Sequence, residues 1–174
     1  MRNTDTVMCI GANISRSHMV AGFLFKRNLP KGTHLINIDP EASDLDDLAN
    51  IALKTNPASD LALIRGLQAI IVQEGLGRSP LTLPNADLLI DQAVSATGVS
   101  REQINHSAQM LARSISPAIL FGKGITAQGD ENLVKELHQL AVLLAQWTAN
   151  DLVAVHQRRV KQPGRHPAWH GQCF

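Results

Sequence analysis

Four short apolar runs recur along the chain without strict alternation, and each predicts a buried β-strand. They lie at residues 6–10, 35–38, 51–53 and 118–121. Three of the runs stop at a residue that breaks a strand, namely Gly11, Asp39 (followed by proline) and Gly122. Continuous apolar runs of this kind are typical of a parallel sheet that is covered on both faces.

Segments with helical spacing separate these runs. Three serines are predicted to cap helices, namely Ser17, Ser59 and Ser100, the last in a capping box with Gln103. The apolar positions of these helices are, in order, Val20, Phe23, Leu24 and Leu29; Leu63, Leu67, Ile70 and Ile71; and Ile104, Met110 and Leu111. Further helices are expected around residues 88–94 and at 133–147, the latter with Trp147 on its apolar face.

The alternation of strands and helices predicts an α/β fold, a three-layer Rossmann-like open parallel sheet with helices on both faces. Right-handed crossovers then place the loops that follow the strands at one edge of the sheet. Residues 1–150 are expected to form this domain. Residues 151–174, which are rich in Arg, His, Pro and Gly from His156 onwards, are expected to form an extended or disordered tail.

Composition removes several classes of function. A formal net charge of +1 and an aromatic content of 3% without tyrosine give no basis for nucleic-acid binding. There is no signal-peptide core, and no apolar run approaches the roughly 20 residues of a membrane span, so a cytoplasmic protein is expected. Cys9 lies in an apolar run and is expected to be a buried, reduced thiol.

No metal site is predicted from the residues. Two cysteines are too few for an iron–sulfur cluster, which takes about four thiolates. The spacing of His166, His170 and Cys173 is compatible with metal ligation, but intervening prolines and glycines argue against a helix that would align them.

Three loops are expected to meet at the edge of the sheet where the strands end. They are Gly11-Ala12-Asn13 with Ser17 and His18, Asp39-Pro40-Glu41, and Gly122-Lys123-Gly124. Ligands of open α/β sheets bind at this edge, where glycine lets the backbone approach a phosphate and a carboxylate accepts hydrogen bonds from a ribose or a base. The first loop lacks the full Gly-x-Gly-x-x-Gly fingerprint, so ordinary NAD binding has weak support.

The ordered set of these motifs is more specific than any one of them. Gly11-Ala12-Asn13, Asp39-Pro40, Pro57-Ala58-Ser59-Asp60 and Gly122-Lys123-Gly124-Ile125-Thr126 follow one another in that order. Together they resemble the molybdopterin oxidoreductase family, with formate dehydrogenase catalytic subunits as the nearest members. The resemblance extends over residues 7–146 and concerns one internal domain of a much larger subunit.

In that family the domain holds one guanine dinucleotide end of the bis-pterin molybdenum or tungsten cofactor, molybdopterin guanine dinucleotide. The matching positions imply a cofactor-binding site made of Gly11, Asn13, Ser17, His18, Asp39, Pro40, Asp60, Gly122 and Gly124. By resemblance, Gly11 and Asn13 would lie beside the pyrophosphate or ribose, Asp39 beside the guanosine, and Asp60 near the guanine.

The resemblance also implies partners, which are the other domains or subunits of a larger redox complex. The family's iron–sulfur cysteines and its metal-ligating residue lie upstream of this domain. We therefore expect a domain that is not catalytically complete alone and that has no catalytic residue of its own.

Departures from the family pattern leave two alternatives open. Glu41 stands where the family has arginine, Ala58 replaces a glycine, and Gln128 comes one place later than the family's glutamine, at which Ala127 stands. These changes favour a degenerate structural or interaction domain that has lost cofactor binding. The strand and glycines at 118–124 also resemble thiamine diphosphate enzymes, so a generic nucleotide-binding domain of that type or of the NAD type is the remaining alternative.

Overall fold

A four-stranded parallel sheet forms the centre of the fold. The computed structural model describes residues 4–14, 19–29 and 32–145. The strands are β1 (Thr6–Ile10), β2 (His34–Ile38), β3 (Ile51–Leu53) and β4 (Pro117–Phe121), in the order β3-β2-β1-β4. All three pairings are parallel, which confirms the predicted sheet.

Six α-helices lie within the described residues. They are α1 (Met19–Asn28), α2 (Asp60–Gln73), α3 (Ala86–Thr97), α4 (Arg101–Arg113), the short α5 (Lys123–Thr126) and α6 (Glu131–Leu144). A 3-10 turn at Asp46–Leu48 follows β2, in the acidic segment. Trp147 and the predicted tail at 151–174, with His166, His170 and Cys173, lie outside the described residues.

The two faces of the sheet bury different side chains, because successive strand residues point to opposite faces. Met8, Ile10, Ile36 and Ile38 pack in one core with α2, α4 and α6. On the other face Val7, Cys9 and Leu35 pack with Phe25 of α1 and with Leu29, which directly follows that helix. Helices therefore cover both faces, and the three-layer arrangement is confirmed.

The single described cysteine lies in the middle of β1. Cys9 is fully buried, and burial raises the pKa of its thiol to about 12. A thiol with such a pKa stays protonated near neutral pH and is a poor nucleophile, as expected for a residue that only fills the core.

The helix starts agree with the prediction at one serine and differ at another. Ser100 Oγ accepts a hydrogen bond from Gln103 N at 3.3 Å, so the predicted cap of α4 is confirmed. Ser59 precedes α2, but its hydroxyl donates to the Asn56 carbonyl at 2.6 Å instead of accepting from the helix. The prediction of a side-chain cap at Ser59 is therefore wrong, because a turn upstream takes the hydroxyl.

In α1 the buried aromatic residue is not the predicted one. Phe23 is 65% exposed, whereas Phe25 is 2% exposed and lies against the sheet. Phe25 and Leu29 are four residues apart and so share one face of the helix, which is the face that contacts β1. Ser17, the predicted cap of this helix, lies outside the described residues.

The loop after α2 caps the end of α6. Arg78 N donates to the Leu143 carbonyl at 2.9 Å, and its guanidinium donates to the Leu144 carbonyl at 3.0 Å and to the Ser114 carbonyl. Ser79 Oγ donates to the Val142 carbonyl at 2.9 Å. The carbonyls in the last turn of α6 thereby obtain the hydrogen-bond donors that a helix end lacks within itself.

Among the described residues, no helix combines the length and the apolar character that a membrane span requires.

Candidate functional site

The ends of β1 and β4 mark the place where a ligand is expected. The two strands are neighbours, but β1 leads to α1 on one face of the sheet and β4 leads to α5 and α6 on the other. In open α/β sheets such a reversal is the topological switch point, and ligands bind in the crevice beside it. The loops after these two strands carry three of the predicted site glycines.

These glycine loops lie in direct contact with each other. Gly124 N donates to the Gly11 carbonyl at 3.0 Å, and Gly122 N donates to the Ile10 carbonyl at 3.3 Å. A Cβ at Gly122 would lie 2.6 Å from Gly11 O, and Gly11 itself has φ +53°. The structure thus brings Gly11, Gly122 and Gly124 together, and their contact requires the glycines whether or not a ligand binds.

The loop after β2 forms an acidic rim next to this contact. Gly11 N donates to the Ile38 carbonyl at 3.0 Å, so Asp39 follows directly beside the first glycine loop. Asp39 Oδ1 accepts from Glu41 N at 2.9 Å, and Pro40 and Glu41 are exposed. The rim carries two carboxylates with no arginine between them.

A lysine from the neighbouring strand holds this rim. Lys54 Nζ donates to the Glu41 carbonyl at 2.6 Å and forms an ion pair with Asp46 Oδ2 at 2.7 Å. Burial on its own raises the pKa of Asp46, but hydrogen bonds from Lys54, Ser43 and Asn37 and the charge of Lys54 outweigh it and lower that pKa. The positive charge of Lys54 is therefore paired with Asp46. It does not neutralise the carboxylates of Asp39 and Glu41.

Asp60 reaches the glycine loops through a glutamine. It is the first residue of α2 and is 7% exposed. Gln128 Nε2 donates to Asp60 Oδ2 at 2.7 Å and also to the Gly124 carbonyl at 2.7 Å. Gln128 was not among the predicted site residues. Its displacement by one place from the family pattern was the signal that could have identified it.

The turn before Asp60 has an unusual backbone. Ala58 adopts φ +61°, and Pro57 precedes it, which resembles a type II turn with alanine where glycine is favoured. Beside it a groove of about 360 Å³ runs between α2 and α3. Its lining consists of Pro57, Ala58, Ser59, Leu61, Ala62, Arg65, Leu89, Gln92 and Ala96. Asp60 and the glycine loops do not line this groove, so it is separate from the switch point.

Not every predicted site residue is described. Asn13 is half-buried at the end of the first glycine loop, whereas Ser17 and His18 lie outside the described residues. In the described part of the chain, no three His, Cys, Asp or Glu side chains lie close enough together to hold a metal ion. The described part of the site consists of backbone loops and carboxylates.

Comparison with known proteins identifies the family. The model of the molybdopterin oxidoreductase family matches residues 1–162. Formate dehydrogenase H of Escherichia coli (strain K12) is 30% identical over 157 residues, which are 81% of this chain and 21% of that protein. The assimilatory nitrate reductase catalytic subunit of Bacillus subtilis (strain 168) is 27% identical over 139 residues, 74% of this chain and 20% of that protein. The chain therefore belongs to the molybdopterin oxidoreductase family.

A solved structure shows the same fold. Acetylene hydratase from Pelobacter acetylenicus superposes with a TM-score of 0.73 at 21% identity, over 86% of this chain and 22% of that one. The chain spans about a fifth of the length of the relatives it matches. The NAD- or thiamine-type interpretation rests on residues 118–124, and it has less support than a family match over residues 1–162.

Proposed function

We propose that this chain is a cofactor-binding domain of a molybdopterin-dependent oxidoreductase of the formate dehydrogenase type. It would hold the guanosine end of molybdopterin guanine dinucleotide and act together with other domains or subunits of a larger redox complex. The observation that carries the proposal is the bridge from Asp60 through Gln128 to Gly124, because it links a buried carboxylate to the glycine loops at the switch point of the sheet.

The available groups suit the nucleoside better than the phosphates. Carboxylate oxygens accept hydrogen bonds, and guanine offers adjacent N–H donors on its pairing edge. The carboxylates of Asp39 and Glu41 would likewise accept from ribose hydroxyls, but they repel phosphate. In this proposal the pyrophosphate therefore lies at the loop of Gly11 and Asn13, away from the acidic rim.

A second candidate function is a domain that has kept the fold and lost the cofactor. Two observations favour it. The close contact between Gly11 and Gly122 requires glycine at these positions even when no ligand is bound. Glu41, in addition, places an anion where the family has a cation, and Lys54 is already paired with Asp46.

Co-purified ligand and nucleotide titration separate the two candidates. Mass spectrometry of the denatured full chain should detect a guanine-containing pterin compound if the site is filled during expression. Calorimetric titration with GDP should give a measurable dissociation constant, and ADP should bind more weakly. If the folded chain carries no such compound and gives no heat with millimolar GDP, cofactor binding is excluded and the second candidate function is supported.

The variant Glu41→Arg tests the acidic rim directly. A charge pair at about 4 Å is worth about 1 kcal/mol in water and about 4 kcal/mol at an effective dielectric near 20. Because Glu41 is exposed, the smaller value applies. Reversing the charge removes a repulsion and adds an attraction, each of up to about 1 kcal/mol, so we expect GDP to bind about tenfold more tightly at low salt. Glu131→Arg on α6 makes the same charge change elsewhere and serves as the control. An equal gain in both variants would show that Glu41 does not face the ligand.

A further inference from the structure

The hydrogen bonds of Gln128 fix which way its side-chain amide points. Its neighbours at 2.7 Å are both acceptors, a carboxylate oxygen of Asp60 and the carbonyl oxygen of Gly124. Only the amide nitrogen carries hydrogens, and it carries two. Both hydrogens are therefore used by these two partners, and the Oε1 atom of Gln128 can only accept hydrogen bonds.

The result is a site edge that offers acceptors and no donors from these two side chains. Asp60 Oδ1 and Gln128 Oε1 accept no hydrogen bond from any described residue. Thr55 and Gln68 are the described residues with a fully buried polar side-chain atom that lacks a partner, so Asp60 Oδ1 retains contact with solvent. Two free acceptors match a ligand edge that presents adjacent N–H groups.

Backbone geometry explains why residue 128 makes this bridge and residue 127 does not. The α5 turn continues through hydrogen bonds from Ala127 N to the Lys123 carbonyl at 2.8 Å and from Gln128 N to the Ile125 carbonyl at 3.3 Å. Successive residues of such a turn point about 100° apart. Moving the glutamine one place along the chain therefore aims its amide at a different neighbour, which here is Asp60.

We propose that Gln128 is a positioning residue that makes the site selective for guanine over adenine. The inference rests on the proposed function, since it concerns the same nucleotide. By holding Asp60 Oδ2 and turning its own oxygen outward, Gln128 presents acceptors to the guanine N1–H and N2–H groups. Adenine presents an acceptor at N1 and a single amino group, so it leaves one of these oxygens facing an acceptor.

The test measures the ratio of dissociation constants for ADP and GDP in the full chain. We expect a ratio of about ten or more in the wild type, which is the effect of one well-placed hydrogen bond. Gln128→Met keeps the length of the side chain but removes both donors, and it should bring the ratio to within about threefold of one. Gln128→Glu should lower the ratio as well, because a second carboxylate would repel Asp60.

Gln109→Met is the matched control. The Nε2 atom of Gln109 on α4 also donates to a carboxylate, that of Glu74 at the end of α2, at 3.0 and 3.1 Å. This variant should leave the ratio unchanged. If Gln128→Met weakens GDP and ADP equally, or changes neither, the positioning role is overturned while the proposed function stands. If the folded wild type does not bind GDP, the proposed function and this inference both fall.

Discussion

Asp5 joins the starts of β1 and β4, and its removal should destabilise the fold strongly. Its carboxylate accepts hydrogen bonds from Ile115 N at 2.7 Å, from Ser116 N at 2.9 Å and from the Ser114 hydroxyl. Two of these donors are backbone groups of the turn that leads into β4. The conformation of the turn between α4 and β4 therefore depends on a carboxylate that lies 110 residues earlier in the sequence.

The magnitude follows from the donors that would be left without a partner. Hydrogen bonds to a charged group contribute about 1.5–3 kcal/mol each, but the contributions of three bonds to one carboxylate do not add. Because Asp5 is half-buried and water can replace part of the loss, we expect Asp5→Ala to cost about 2–3 kcal/mol. Asp5→Asn keeps one acceptor oxygen and should cost about half as much.

The same hydrogen bonds make the contribution depend on pH. Burial alone raises the pKa of Asp5, but the bonds from Ser114, Ile115 and Ser116 outweigh it and hold the pKa below its usual value. A lowered folded pKa means that the stability is fully present above the unfolded pKa, which is about 3.9, and is lost as the pH falls through the folded pKa. The difference between wild type and Asp5→Asn should therefore be constant near neutral pH and narrow below about pH 4.

Urea unfolding at several pH values checks both expectations. Asp91→Asn is the control, because Asp91 is an exposed carboxylate on α3 whose partner is Arg101 at 3.2 Å. Its removal should change the free energy of unfolding by less than about 0.5 kcal/mol. An effect of Asp5→Ala as small as that of the control, or a wild-type advantage over Asp5→Asn that does not change between pH 6 and pH 3, would refute the reasoning.

Substitutions at three further positions test loop contacts, each by chemical denaturation. Ala58→Gly should stabilise the chain by about 0.5–1 kcal/mol, since glycine adopts φ +61° without steric cost; a loss of stability would contradict this. Arg78→Ala should destabilise it by about 2 kcal/mol and Arg78→Lys by less, because the Leu144 carbonyl loses its donor; equal effects would argue against the guanidinium. Gly122→Ala should cost about 2–3 kcal/mol because its Cβ would lie 2.6 Å from Gly11 O; a neutral result would mean that the loops can move apart.

The strands could be predicted because their signal is local. The run from Thr6 to Ile10 needs no partner to be read as a buried strand, and the order of strands and helices then leaves few topologies. The buried face of α1 could have been assigned correctly by the same kind of local reasoning. Phe23 and Phe25 point about 200° apart on a helix, and only Phe25 is four residues from the buried Leu29.

The loop contacts could not be predicted because they join distant parts of the chain. The sequence around Arg78 does not indicate that its guanidinium donates to the last carbonyl of α6, that of Leu144. The sequence around Asp5 likewise does not indicate that its carboxylate accepts hydrogen bonds from the turn that begins at Ser114. Ser59 shows the reverse error. A serine before a helix is a good local signal for a cap, but the hydroxyl of Ser59 donates to the Asn56 carbonyl at 2.6 Å instead.

The acidic rim shows why a charge must be judged with its spatial neighbours. Compared position by position with the family, Glu41 reads as a lost cation. Lys54, which directly follows β3, does donate to the Glu41 carbonyl, but its charge is already paired with the Asp46 carboxylate at 2.7 Å. The rim therefore remains negative, and a phosphate placed there would meet Asp39 and Glu41 unshielded. A ligand with hydroxyl or N–H donors would not be repelled, so the proposed nucleotide would place its ribose or base at this edge and its phosphates at the glycine loops.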